Sequence, residues 1–438
     1  MSDALKIERR SADRHAPIAR PVLANRKQVA MEKLLLELWS DQDVMALRRE
    51  LEGELSRLPT ARHPDGAITL PRAVCLYTSS CISSEITAHS ADPAFFWWED
   101  VPHTIGGHTV AGVGIAGDTP DHIYRRVTVD GAHTYRLTGR IDLSSRPAFI
   151  FFEVMRGRIG PIALSNQGRS ADMGNFVGSL SDLAMDIAPD GSFSIDIGGD
   201  RRERRNWLPL AEGDNTIMVR EITSDWNQRA ARLDIEQVTG QRPAPATFEE
   251  LKARVLATLP DYVRFWGNWH NVSREGIEPN TLKGILPRDG GFGYVAHLRY
   301  SLGEDEAVLL RLRSGGARYF GVHATDPWQI TDDARHFQVT LNNTQARVEP
   351  DGTYSFVISP RDPGVANWVD TAGMHNGYVI LRWQGAPPDF PVNEVITDFC
   401  IAGFDVLQQM PGLVHVPPAD RALTRLASGL AYARRAVD

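Results

Sequence analysis

Phe193, Ile195 and Ile197 alternate with Ser194 and Asp196, the period-two signature of a strand with one face in a core and the other toward water. Similar patterning predicts first-half strands over 124–129, 134–141, 148–154, 183–187, 192–197 and 215–222, with a turn at Asp130-Gly131. In the second half it predicts strands over 293–300, 307–312, 318–323, 337–341, 353–358 and 377–383. Elsewhere the period is helical. Val29, Met31, Leu34, Leu35, Leu38, Val44, Leu47, Leu51 and Leu55 suit a pair of amphipathic helices, broken at Ser40-Asp41, which supplies a new N-cap. Residues 247–265 read as a linker helix capped by Thr247, with Glu249 and Glu250 in its first turn, and 419–437 as a closing helix after Pro417-Pro418. Residues 67–86 mix β-branched side chains and serines without a clear period, and the chain from there to Gly117 reads as aromatic-rich loop.

The strand pattern is duplicated. Pro189-Asp190-Gly191 with Asn206-Trp207 recurs as Pro350-Asp351-Gly352 with Asn367-Trp368, 161 residues later. Across 180–208 and 341–369, 8 of 29 positions are identical, where unrelated stretches would share about two. The hairpin over 127–140 matches 300–313 at a shift of 173, so the first copy carries 12 extra residues, which we place in a Gly-containing loop within 155–176. Repetition of this kind decides the architecture before any single element does. The expected fold is mainly β: two tandem antiparallel jelly-roll-like sandwich domains with N-terminal, linker and C-terminal helices. The expected divisions are an extended arm at 1–25, a helical and aromatic-rich region at 26–117, a first module at 118–245, a linker at 246–285, a second module at 286–416 and the closing helix at 417–438.

Composition narrows the function classes. A net charge of −8 over 438 residues argues against a nucleic-acid partner, which calls for clustered Lys and Arg; the dense basic run at 201–205 reads as a solvated loop. Cys75, Cys81 and Cys400 are odd in number and lack metal-ligand spacing, which suits a reducing compartment, so a cytoplasmic location is expected. No run of about 18 apolar residues occurs, so no membrane partner is expected. The polar arm, with Pro17 and Pro21, has the character of a segment that wraps a partner subunit, giving a homo-oligomer as the expectation.

No phosphate loop, Gly-x-Ser-x-Gly elbow, His-Glu-x-x-His or paired Cys motif is present. Chemistry must then come from scattered side chains. After the second Asn-Trp, Asp370 could orient His375 as a general base, with Arg382 holding an anionic or carbonyl oxygen; the competing reading is an Asx turn and an exposed loop histidine. His103 and His108 lie beside the aromatic run 95–98; two ligands do not make a metal site, so they are read as acid or base candidates at an aromatic cavity. Trp266, Trp269 and His270 cluster after the linker helix, with core packing as the alternative. The candidate catalytic set is therefore His375, Asp370, His103, His108 and His270, and the candidate binding set Arg382, Trp98, Tyr124, Trp269 and Asn367, with no metal and no cofactor. Kept in both copies, Asn-Trp also reads as structural, a turn-bonding Asn beside a Trp covering the sandwich end. Arg220 and Arg382 fall near matching strand positions, which favours struts over catalysts.

The stretches 117–124, 135–139, Asp190-Gly191-Ser192 with Asn206-Trp207-Leu208-Pro209, Asp362-Pro363-Gly364 with 367–373, and the tail 431–435 resemble a bacterial family called domain of unknown function 1214. The resemblance spans most of the chain and implies a pair of jelly-roll-like β-sandwiches. It implies no reaction and no catalytic residues. On the residues themselves, the expectation is a catabolic enzyme acting on a small aromatic or hydrophobic molecule by acid–base chemistry, as a lyase, isomerase or hydrolase; the alternative is a non-catalytic binder of a small molecule or carbohydrate.

Overall fold

The computed structural model describes residues 21–88, 90–158, 175–201, 205–269 and 277–435. Two β-sandwiches follow one another, each a five-stranded sheet packed on a four-stranded one. In the first, the larger sheet runs β1 (Phe96–Trp98), β4 (His122–Asp130), β10 (Asp214–Ile222), β6 (Phe149–Arg156) and β7 (Phe176–Ser181), and the smaller β11 (Arg232–Gln237), β5 (Tyr135–Arg140), β8 (Ser192–Ile197) and β9 (Trp207–Leu208). Beside them β2 (His103–Ile105) and β3 (His108–Val110) form a separate hairpin. The second sandwich repeats the order as β12 (Thr281–Arg288), β13 (Gly293–Ser301), β19 (Asn376–Gln384), β15 (Tyr319–Thr325) and β16 (Thr340–Asn342), facing β20 (Ile396–Gly403), β14 (Glu306–Leu312), β17 (Tyr354–Ser359) and β18 (Trp368–Asp370). Since β1 joins the first large sheet and β12 the second, both sheets reach outside 118–245 and 286–416.

Both sequence shifts survive in the strand register. Leu137 faces Ile195 as Leu310 faces Phe356, and Asp196 pairs with Trp207 as Val357 pairs with Trp368. These last pairs run parallel, a departure from the antiparallel expectation. Inside each sandwich the alternating apolar residues meet, Val127, Phe152 and Val219 against Leu137 and Ile195, and Leu298, Phe320 and Val379 against Leu310 and Phe356. Each such side chain contributes about 1.5–3 kcal/mol by leaving water.

The repeated Asn-Trp element acts as a backbone clamp. Asn206 accepts from the Asp186 N–H and donates to its carbonyl, both at 2.8 Å; Asn367 does the same to Arg347 at 2.7 and 2.8 Å. Trp207 donates to the Gly198 carbonyl and Trp368 to that of Ser359. The Asp of each Asp-Gly turn accepts from the backbone N–H and the hydroxyl of the residue two later, Ser192 or Thr353. Every one of these bonds recurs at the same shift.

A helical layer covers part of the outer face of the first large sheet. It comprises α1 (Arg26–Trp39), α2 (Gln42–Leu55), the single turn α3 (Pro59–Arg62), α4 (Pro64–Thr87) and α5 (Phe248–Gly267); α6 (Phe404–Gln409) and α7 (Pro418–Arg434) follow the second sandwich. Asp41 caps α2, and Thr247 with Glu250 forms a reciprocal capping box on α5. The featureless stretch 67–86 lies in α4, which is buried almost all round. Its serines contribute to a buried hydrogen-bond cluster: Ser80 bonds the Tyr262 hydroxyl at 2.7 Å, and Arg126 donates to the Ser80 carbonyl and the Ser83 hydroxyl. A helix packed on every side shows no amphipathic period, which is why the pattern failed there. Residues 183–187 form no strand; the edge position is taken by β7.

One carboxylate ties the two sandwiches together. Asp121, fully buried before β4, accepts from Trp226 and, in the second sandwich, from Tyr319, Thr340 and Asn342 at 2.8–3.2 Å. Around it Phe149, Phe151 and Ile222 pack on Phe292 and Tyr319. No helix among the described residues is long and apolar enough to cross a membrane.

Candidate functional site

The outer faces of the two large sheets look toward each other, and a cleft opens between them beneath the end of α5. It holds about 840 Å³ of space free of atoms, its open mouth included. Tyr124, Glu153, Met155, Met218 and Arg220 come from the first sheet, Arg288, Val295, His297 and Arg382 from the second, Trp266 and Trp269 from α5 and just beyond it, and Asp118 from the loop before β4. Tyr124, Trp269 and Arg382 of the expected binding set thus share one cleft. Trp98 stands directly behind it, stacked on Tyr124 at 5.2 Å and donating its indole N–H to Asp118 at 2.8 Å.

Strand parity explains why charged side chains meet here. In β10 and β19 the odd-numbered residues enter the sandwich cores, so Arg220 and Arg382 both point outward, toward the opposite module. They are not equivalent positions. Val127 faces Ile217 as Tyr300 faces Gly377, which makes Ile380 the counterpart of Arg220 and Ile222 that of Arg382. Arg220 forms an ion pair with Glu153 and lies 4.9 Å over the Phe292 ring. Arg382 donates to the Gly117 carbonyl. Gly117, at φ 88, turns the loop so that its own N–H donates to the Gln329 carbonyl at 2.8 Å, pinning the loop to the second module.

Burial sets the proton affinities. It raises the Asp118 carboxyl above the usual range, opposed by hydrogen bonds from Trp98 and the Ile115 N–H and by the charges of Arg382 and Arg220. Burial also raises the Tyr124 phenol. His122 and His323, both fully buried, are held well below the ordinary imidazole value by burial and by Arg382. A carboxyl of raised proton affinity, a phenol and neutral imidazoles therefore surround two guanidinium groups.

The remaining candidates lie elsewhere. His375 presents Nδ1 to the Leu302 carbonyl at 2.9 Å and Nε2 to Glu304 at 3.5 Å, partly exposed. Asp370 instead accepts from the Ala372 N–H, and burial pushes its carboxyl up to about 6; the structure does not bring the two side chains together. His103 and His108 bond the two oxygens of Glu32 at 3.0 and 2.9 Å, fastening the β2–β3 hairpin to α1. Among the described residues no group of three or more His, Cys, Asp and Glu side chains is placed to hold a metal ion. Asn367 is engaged in its clamp, away from the cleft. His270 lies outside the described residues, as do most of the arm, 159–174 of the expected long loop, and 202–204 of the basic run.

Sequence reasoning passed over Asp118, Glu153, Arg288 and His297. A signal existed for Glu153: a lone carboxylate in Phe149-Ile150-Phe151-Phe152-Glu153-Val154-Met155, a strand too apolar to face water on either side. A buried charge there requires a partner, and Arg220 is the matching anomaly on the neighbouring strand.

Residues 125–223 match the family described as "Protein of unknown function (DUF1214)", so the resemblance read from the motifs is borne out over that stretch. No curated protein matches the chain. Among solved structures, an uncharacterized protein from Burkholderia cenocepacia is similar over 87% of this chain and 99% of its own, at 24% identity and a TM-score of 0.63, a likeness of fold. The VPA0106 protein from Vibrio parahaemolyticus matches over 65% of this chain and 89% of its own, at 12% identity and a TM-score of 0.39.

Proposed function

We propose that the cleft between the sandwiches is the active site of a catabolic enzyme that acts on a small aromatic or hydrophobic molecule by acid–base chemistry. The observation that carries this reading is the position of Asp118: a buried carboxyl with raised proton affinity, lining a cleft whose walls carry Trp266, Trp269 and Phe176. Matched acids and bases in enclosed, partly apolar clefts are the arrangement that proton-transfer catalysis requires. Asp118 would donate or accept the proton at the reacting atom, Tyr124 would serve as the second hydroxyl donor, and the arginines would hold a developing or resident negative charge. His103, His108 and His375 move out of the catalytic role in this reading, because Glu32 engages His103 and His108 and His375 stands on the outer surface. Free thiols at Cys75, Cys81 and Cys400 support a cytoplasmic setting.

The test is untargeted mass spectrometry of a small-molecule extract incubated with the wild-type protein or with Asp118→Asn. We expect one or more hydrophobic compounds to be consumed with a matching product, and Asp118→Asn to abolish consumption while still retaining the compound. Retention without conversion by the wild-type protein would favour the binding-protein reading, and neither retention nor conversion would remove the cleft from consideration.

A further inference from the structure

The closing helix is docked with its polarity inverted. An amphipathic helix ordinarily turns its apolar stripe to the core, yet α7 buries Arg421, Gly429 and Tyr432 and leaves Leu423, Leu426 and Leu430 exposed by 66%, 61% and 51%. Contacts on the inner face hold this orientation. Arg421 pairs with Asp362 at 3.0 Å, and the Tyr432 hydroxyl donates to Glu99 at 3.2 Å while its ring meets Trp226 edge-on. Gly429 passes so near the Arg335 carbonyl oxygen that a methyl group there would stand 2.5 Å from it. The helix therefore cannot roll to hide its leucines. Single exposed leucines are ordinary on a folded chain, but three on one stripe of one helix make a patch.

The stripe has the spacing of a helix-pairing seam. Leu423 and Leu430 stand seven residues apart, with Leu426 three after the first and Ala433 three after the second, the a and d positions of two heptads. In that frame Asp420 and Arg434 both fall at position e, on one flank and equally far from Ala427. Both are exposed, and the ion pairs of this helix and its C-cap among the described residues belong to Arg421 and Arg435. The helix dipole favours an acid in the first turn and a base in the last, but it does not require them to share a flank. Two copies packed antiparallel about a two-fold axis set equal flanks against each other, so Asp420 of each meets Arg434 of the other. In a parallel pair position e faces position g, which here is Ala422 and Gly429 and carries no charge.

We propose that α7 pairs antiparallel with α7 of a second copy, making a two-fold symmetric dimer with Leu423, Leu426 and Leu430 in its seam and an Asp420–Arg434 ion pair at each end. The axis crosses near Ala427, where a small side chain lets the helices approach. A helix of this length spans about 25 Å, and one pair of them covers less than the roughly 800 Å² per partner of a standard interface. The dimer is accordingly a weak one, in exchange with monomer. None of these residues lines the cleft, so dimer and cleft are tested apart.

Sedimentation velocity of the full chain from about 1 to about 500 μM tests this, a range that brackets a weak dimer. We expect a monomer–dimer equilibrium, weakened about a hundredfold by Leu426→Asp, which seats two carboxylates in the seam. Asp420→Arg or Arg434→Asp should each weaken it about tenfold by setting like charges together at both ends. Mixing those two charge variants, one of them fluorescently labelled, should restore association as a heterodimer, because one chain is then basic at both positions and the other acidic at both. A monomer throughout the range, with or without binding to anionic phospholipid vesicles, would overturn the proposal. So would a dimer that Leu426→Asp leaves intact, whether or not removing residues 1–20 dissociates it, since assembly would then lie on another surface. A dimer lost with Leu426→Asp but not recovered on mixing the charge variants would overturn the antiparallel pairing.

Discussion

Raising the pH should loosen the attachment of the β2–β3 hairpin to the N-terminal helices, and His103→Gln should reproduce the loss at neutral pH. His103 is 7% exposed and sits between two carboxylates, with Nε2 3.0 Å from Glu32 and Nδ1 3.4 Å from Glu99. Burial alone would lower its proton affinity, but the bonds to Glu32 and Glu99 and their charges outweigh it and lift the ring from 6.5 to about 9. His108 and Gln28 also bond Glu32, while Arg435 and Tyr432 reach Glu99. A rise of about 2.5 pH units at about 1.4 kcal/mol each corresponds to about 3.5 kcal/mol of stability. Because the folded value lies above the unfolded one, this stability is fully present below 6.5 and is lost as the pH climbs through about 9. Urea unfolding of wild type and His103→Gln at intervals from pH 6 to 10 measures it, the difference between the proteins cancelling the titration of other groups. The gap should be about 3.5 kcal/mol at the acid end and should shrink toward zero by pH 10. A gap that is constant with pH, or that widens as the pH rises, would refute the charged-histidine strut.

Asn367→Ala removes both clamp bonds from a buried position and should cost about 2 kcal/mol in urea unfolding; Asn206→Ala should cost less, since water can replace the bonds of its more exposed clamp. Asp121→Asn exchanges an acceptor of four bonds for a group that turns a donor toward them, which should cost about 3 kcal/mol or more and split a single thermal transition into two. His375→Ala should change stability by no more than about 1 kcal/mol and leave ligand binding in the cleft intact; loss of turnover in this variant with the fold preserved would restore His375 as the base.

The sandwich strands, the helix break at Asp41 and the α5 cap were legible because each rests on a local rule: alternation, a side-chain acceptor before a helix, a reciprocal Thr–Glu pair. The α4 helix was not legible, since a segment buried on all sides carries no periodic signal and its serines argue locally for a turn. Asp370 and His375 looked coupled because they are five residues apart, yet the chain passes through Ala372 at φ 55 and Gly373 at φ 78, and the two side chains find separate partners. His103 and His108 read as free acid–base groups because Glu32 stands 71 residues before the first of them. Long-range pairing is the information a local reading lacks.

Duplication itself explains where the charged cleft lies. In register, the core-facing positions of the two copies stay apolar: Val127 matches Tyr300, Val219 matches Val379, Leu137 matches Leu310. Several outward positions change character: Tyr124 against His297, Arg220 against Ile380, Ile222 against Arg382, Phe151 against His323. Each large sheet must bury that outer face, and it does so partly against the other copy. A single sandwich would expose these side chains to water, where a guanidinium is merely solvated; two sandwiches placed face to face desolvate them and oblige each to find a partner. Asn-Trp and Asp-Gly, the most repeated elements, maintain the four-stranded sheets on the far side and have no reason to diverge. The search for function in a duplicated β chain is therefore best directed by strand parity: at positions of outward parity where one copy places a charge and the other an aliphatic residue, as Arg382 and Ile222 do, the core of neither sandwich dictates the difference.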